Sequence, residues 1–469
     1  MASTITAPTY DPTSTAQALA QKTTASAQSK IDSDTTTTAA TAKALSSLGS
    51  AISAFQNSLS NLTGVGKSML AQSATLSNTG LATASAKPTA AAGTYSLFVK
   101  QVATAGQVSY NGLTDSAAPG GTLKIKLSDE SVTPSTAVPF DVDLGAANAD
   151  TDNDGKLSVR ELASAINRAS GNAGQVSAGV VTIGTETRLV LTSKNTGVAN
   201  TISLDASGVT DGTLQTGLGN RTMVTAAQDA IVMLGGENGT PIKQPSNTFT
   251  NIDGVSLTVT KAQASGDTPL SLTVASDGSK TSANVQAFVD AYNKLKSAID
   301  GMVDPGDPTN SVAAGAFAHD AGVSALQSRL VSLVRPGSGG SLAVFGITAS
   351  RDGTLSLDST RLNKQLAIDP AGLDKLLGSA SISAPTGIAG SLNTYLNQWS
   401  NSATGQIKQR TDANNTLQST LTKRQSDLDN QFNSAYTRYL KQYTDLQALQ
   451  STMNSNLSMF DALFSSDKS

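Results

Sequence analysis

Ala44-Leu45-Ser46-Ser47-Leu48-Gly49-Ser50-Ala51-Ile52-Ser53-Ala54-Phe55-Gln56-Asn57-Ser58-Leu59-Ser60-Asn61-Leu62 carries its large apolar residues in one rhythm. Leu45, Leu48, Ile52, Phe55, Leu59 and Leu62 recur at alternating spacings of three and four, the seam of a coiled coil or bundle helix. Gly64 and Gly66 supply the stop. Upstream the rhythm thins to Ile31 and Thr38. The first forty residues are Thr, Ser, Ala and Gln with few large apolar groups, so alone they cannot offset the entropy of ordering.

The far end answers this seam. From Gln406 to Phe464 there is neither proline nor glycine, which allows one helix of fifty residues or more. Leu417, Leu421, Leu428, Phe432, Ala435, Tyr439, Leu446, Leu449, Met453, Phe460 and Leu463 fall near one stripe. Two seams at opposite ends of a chain are expected to pair with each other or with other subunits. The plainer alternative is a helical hairpin within one globular domain.

Between them the pattern changes to period two. Tyr95–Val99, Leu123–Leu127, Arg188–Thr192 and Val255–Val259 read as strands, punctuated by Gly, Asn, Asp and Pro, with one helix over Leu162–Asn167. After Ser282 an apolar face returns through Val285, Phe288, Val289, Tyr292, Leu295 and Ile299, and a second helix is expected around Leu326–Leu333. Gly346-Ile347-Thr348 and Leu355-Ser356-Leu357 then form a hairpin, with Asp358 capping the next helix and Asp369-Pro370 opening another. The fold class expected is α+β and multidomain: coiled-coil-like terminal helices and a mainly β head of two subdomains.

Composition narrows the function. Of 469 residues 14% are charged and 4% aromatic, and the net charge is −3 with no basic block, so a nucleic-acid footprint is missing. There is no cysteine and only one histidine, His319, which excludes thiol chemistry and multi-histidine metal sites. No nucleophile elbow, Walker A loop or HExxH motif is present, so no enzyme is expected. No apolar run is long enough to insert into a membrane. Met1–Tyr10 has neither a basic nor an apolar signal region, so the expectation is a cytoplasmic protein or export without a cleaved signal.

Several segments resemble the flagellar hook-associated protein 2 family, the filament-capping proteins. Phe288-Val289-Asp290-Ala291-Tyr292-Asn293-Lys294-Leu295 is similar to its F-x-x-x-Y-N-x-L helix, and Gly346-Ile347-Thr348 with Asp352–Asp358 to its G-I-x…D-G-x-L-x-L-D segment. Asn251–Leu257 and Gly93–Ala103 resemble two of its strands. The resemblance spans the chain except about residues 115–220. It implies D0 legs over 1–42 and 443–469, disordered or helical, and a helical D1 over 43–88 and 282–442. A β-rich D2 over 89–112 and 222–281 and an inserted D3 over 113–221, β-rich with one helix, complete the plan.

The family also implies a non-enzymatic cap at the filament tip, secreted by the flagellar type III route, that helps exported flagellin fold and insert. Expected partners are flagellin, hook–filament junction proteins, an export chaperone and the protein itself in a ring of five by analogy, four or six being open to the same seams. A junction protein, or an adhesin at the tip, is the alternative.

One motif stands apart from the resemblance. Asp150-Thr151-Asp152-Asn153-Asp154-Gly155-Lys156-Leu157-Ser158-Val159-Arg160-Glu161 fits a twelve-residue calcium loop: acids at positions 1, 3, 5 and 12, glycine at 6, serine at 9. Composition alone would produce this about once in a thousand such chains. Asp150, Asp152, Asp154, Ser158, Glu161 and the Lys156 carbonyl are the expected Ca²⁺ ligands, after a strand over Phe140–Leu144 rather than a helix. No cofactor is otherwise required. The alternative is a solvated acidic turn capping the helix at Leu162.

Overall fold

The computed structural model describes residues 11–117, 120–129, 137–145, 149–335 and 341–465. They form two compact units, one of Met1–Met69 with Ser279–Ser469 and one of Leu70–Gly278. The chain opens with α1 (Pro12–Thr63), capped by Asp11, whose carboxylate accepts from the Thr13 and Ser14 N–H groups. The helix therefore begins far upstream of Leu45, so from residue 12 on the chain takes the helical of the two states expected for this leg. Along its polar run Thr36, Thr37, Thr38 and Thr41 each donate a hydroxyl to the carbonyl four residues back, which satisfies these side chains within the helix. Residues 1–10 of the expected D0 leg lie outside the described residues.

The second unit is built from strands β1 (Gln72–Leu76), β2 (Ala82–Ala86), β3 (Gly93–Gln101), β4 (Ala105–Tyr110), β5 (Gly121–Ser128) and β6 (Phe140–Asp143), then helix α2 (Val159–Arg168). Strands β7 (Val176–Ile183), β8 (Glu186–Thr196) and β9 (Thr201–Val209) lead to helix α3 (Gly212–Gly219). Strands β10 (Arg221–Thr225), β11 (Ala230–Leu234), β12 (Thr240–Gln244), β13 (Thr248–Phe249), β14 (Val255–Val259) and β15 (Leu270–Ser276) close it. Two cores result. Sheets β1-β15-β3-β11-β12 and β13-β14-β2 enclose one around Leu97, Val99, Val232, Leu257 and Leu272. Sheets β10-β4-β8-β7 and β6-β5-β9, with α2 and α3, enclose the other around Leu123, Ile125, Ile166, Leu189 and Leu191.

All four expected strands are present, but the boundaries move. Residues 72–86, placed with the helices from sequence, are β1 and β2, paired to β15 and β14. Their Ser, Thr and Ala side chains bury little by themselves, and cross-strand partners such as Leu272 and Leu257 supply the apolar surface. β4 and β10 join the inner core rather than the outer one. A second inner helix, α3, was hidden by its glycines. Asp211 caps it and Leu214 and Leu218 anchor it at helical spacing.

The first unit resumes with α4 (Gly278–Val303), α5 (Ala321–Leu333), the hairpin β16 (Ile347–Ala349) and β17 (Leu355–Leu357), α6 (Ser359–Ile368), α7 (Gly372–Leu377), α8 (Gly387–Ser400) and α9 (Gln406–Ser465). The expected face of α4 is buried, and Phe55 of α1 packs against Phe288 and Tyr292 at 6.4 Å in each case. Asn293 clips the hairpin to α4: its amide donates to the Leu355 carbonyl at 2.7 Å and accepts from the Leu355 N–H at 2.8 Å. Gly353 has φ +87°, and a Cβ there would lie 2.6 Å from Val331. The two most specific family-like motifs are thus halves of one contact. Asp358 caps α6 as expected, whereas α7 begins at Gly372, two residues past Pro370.

Candidate functional site

The terminal helices pair antiparallel. Gln28 and Gln425 exchange two amide hydrogen bonds of 2.9 Å, and Asn414 donates to the Thr38 carbonyl at 3.2 Å. Each is a small polar match that an apolar stripe could not reveal. Leu45, Leu48, Ile52, Phe55 and Leu59 are buried, with Leu62 half-buried. On α9, Leu421 and Leu428 are buried and Phe432, Ala435 and Tyr439 half-buried, while Leu417 is exposed. With these pairings Pro12 falls opposite about residue 441, so the last part of α9, about 36 Å long, runs past the start of α1. Leu446, Leu449, Met453, Phe460 and Leu463 are all exposed there. The part of the stripe that runs past the start of α1 is not covered by this chain.

Three of the expected calcium ligands converge. Carboxylate oxygens of Asp150, Asp152 and Asp154 lie within 4.8 Å of one another. Asn153 (φ +60°) and Gly155 (φ +79°) turn the loop around them. Asp150 accepts from the Asn153 and Gly155 N–H groups at 2.7 and 2.9 Å, Asp152 from Asp154 N–H and Asp154 from Lys156 N–H. The Asp154 N–H lowers the pKa of Asp152, but desolvation and the charges of Asp154, Glu161 and Asp150 together raise it above the ordinary value.

Glu161 and Ser158 stand outside that trio. Glu161 accepts from the Thr151 N–H and hydroxyl and from the Ser158 N–H and hydroxyl, at 2.7–3.0 Å. Ser158 in turn caps α2 in a reciprocal capping box. The Ser158 N–H, working against burial, with the Thr151 N–H and the two hydroxyls, holds the Glu161 carboxyl down at about 2. Leu157 bridges Ser116 through both main-chain groups, which ties the loop to the inner core. His319 is exposed beside Asp320, which caps α5 and pairs with Arg410 at 2.6 Å.

A family model of the flagellar hook-associated protein 2 N-terminus matches residues 9–106, and one of its C-terminus matches residues 227–455. The chain belongs to the flagellar hook-associated protein 2 family. It is 34% identical over 396 residues to the lateral flagellar hook-associated protein 2 of Vibrio parahaemolyticus, covering 83% of this chain and 85% of that one. It is 32% identical over 449 residues to the B-type protein of Pseudomonas aeruginosa, covering 89% and 88%. A crystal structure of the D1-D2-D3 domains of the Escherichia coli flagellar cap protein matches with TM-score 0.61 and 26% identity, covering 79% of this chain and 99% of that one.

This member of the family is a flagellar filament cap, a structural protein of the flagellum, and the junction-protein and adhesin readings are not favoured. The two family models leave residues 107–226 unmatched, and that gap contains the acidic loop. Among the described residues no helix is long and apolar enough to cross a membrane.

Proposed function

We propose that this cap stands on the filament tip as a closed homo-oligomeric ring, with the ends of α1 and α9 as legs among flagellin subunits. The observation that carries this is the exposed apolar stripe on the distal part of α9. Five large side chains facing water along one helix stabilise nothing in the monomer and await cover by another chain. Flagellin is that cover in the legs, and copies of the protein are its neighbours in the plate. Five copies are favoured by family analogy, with type III export and a cytoplasmic chaperone as the route to the tip.

Deleting residues 443–469 tests this. The truncated protein should keep the melting behaviour of its head and lose capping, so that flagellin escapes into the medium and motility fails. A truncated cap that still retains flagellin would overturn the leg assignment.

For the acidic loop we propose one structural Ca²⁺ held by Asp150, Asp152 and Asp154, with the Lys156 carbonyl, Ser158 and Glu161 completing the set. Glu161 would have to exchange hydrogen bonds for the ion, so affinity on the order of 10⁻⁴–10⁻³ M is expected. Calorimetric titration of the full chain with CaCl₂, beside Asp152→Ala, distinguishes this from an acidic turn that only caps α2. Absence of binding heat and of any rise in melting temperature at about 10 mM leaves the turn.

A further inference from the structure

One sheet edge in the inner subdomain is closed for half its length and open for the rest. Asn172 pairs with both main-chain groups of Val176, donating to its carbonyl and accepting from its N–H at 2.8 Å each. Asn167 does the same for Ala178 at 2.8 and 2.9 Å. Alternate residues of an antiparallel edge turn both groups outward, so Val180 and Thr182 follow Val176 and Ala178 on the outer side of β7. No side chain clips either of them among the described residues. They instead line an open groove of roughly 740 Å³, walled by Asp115, Asp152, Arg160 and Glu186.

We propose that this open stretch of β7 pairs with β10 of a neighbouring copy, so that heads join edge to edge around the ring. The inference rests on the ring reading above. Four features favour a second copy as the occupant. β7 and β10 are the two edges of one sheet, and the order β10-β4-β8-β7, antiparallel throughout, makes them run in opposite directions. Copies arranged head to tail therefore bring β7 to β10 in antiparallel sense, and such heterologous contacts close rings. The lengths match, because a bulge between Met223 and Thr225 leaves Arg221–Met223 regular, against Val180–Thr182.

Both edges also carry exposed apolar side chains that pairing would cover. Val181, Ile183, Met223 and Val224 are each between 46% and 56% exposed, which places two large apolar groups on either edge. The groove wall carries three acids, one of them Glu186 already paired with Arg188 at 2.6 Å, and β10 brings no acid against them. The asparagine clips set the register by stopping pairing at Ala178, a common way of limiting an edge. A pairing of three residues is short, and repetition around a ring makes it sufficient.

The cysteine-free chain allows a direct test. Val181→Cys and Thr222→Cys, which this register sets directly opposite each other, are made separately, mixed at tens of micromolar and oxidised. Within one copy the two edges are three strand spacings apart, about 14 Å, beyond the reach of about 7 Å between Cα atoms for a disulfide. A bond must therefore join two copies. The expected result is a disulfide-linked dimer in the mixture and in neither variant alone. Dimers of Val181→Cys alone would mean two-fold pairing of β7 with itself and overturn the proposal.

Rings that form without any such bond would also overturn it and leave the ring reading standing. Wild type that stays monomeric by sedimentation would overturn both. Thr182→Pro supplies an independent arm, since it removes an outward N–H and spares the β7–β8 ladder. It should raise the concentration for half-assembly about tenfold with little change in melting temperature. Assembly at the wild-type concentration would again sink the idea.

Discussion

Glu161 closes its loop and caps a helix with the same carboxylate, and both tasks depend on its charge. Five donors point at it, so folding favours the ionised form, and the contribution is present above the ordinary carboxylate range. It is lost as pH falls toward about 2, where the folded carboxyl finally protonates. Glu161→Gln should therefore lower the melting temperature of the head at pH 7 by about 2–6 °C. The gap to wild type should close near pH 2, and a gap independent of pH would refute the electrostatic account. Asn293 is the uncharged counterpart in the other unit. Asn293→Leu leaves the Leu355 N–H and carbonyl without partners, at a cost of about 1–3 kcal/mol in denaturant titration; Asn293→Asp, which keeps only the acceptor, should fall between.

At the scale of the element, one helix contains two kinds of apolar position. Leu421 is buried against α1, and Leu449 lies beyond the end of α1 and is exposed. Leu421→Ala should cost about 2–5 kcal/mol of stability. Leu449→Ala should leave the free protein within about 0.5 kcal/mol of wild type and impair retention of flagellin. Chemical denaturation and a flagellin-leakage assay separate the two; equal stability losses would mean that α9 finds another partner within the chain. The Thr-rich half of α1 makes the complementary point. Its composition predicts no order, yet the Gln28–Gln425 exchange and the Asn414 bond to the Thr38 carbonyl hold it along α9. Propensity alone would not have placed a helix there, since short-range terms are small beside pairing with a second long helix.

At the scale of the whole molecule, two units joined at two chain crossings are expected to melt separately. Residues 70–278 should fold as an isolated fragment with a cooperative transition, because both of the unit's cores lie within them. A fragment that binds hydrophobic dye and melts without a transition would contradict this. The sequence by itself determined the helical seams, the strand-rich middle, the Phe288–Leu295 and Gly346–Asp358 motifs and the acidic spacing of Asp150–Glu161. Each is local, and periodicity or fixed spacing in one segment reports it. Only the tertiary structure decided that β1 and β2 belong with the strands, that Asn293 is the clip between two motifs and that Glu161 serves a capping box. It also decided where α9 outruns α1 and which half of β7 is left open. Those facts depend on what lies opposite a residue in space, often hundreds of positions away, and no single stretch of chain carries that information.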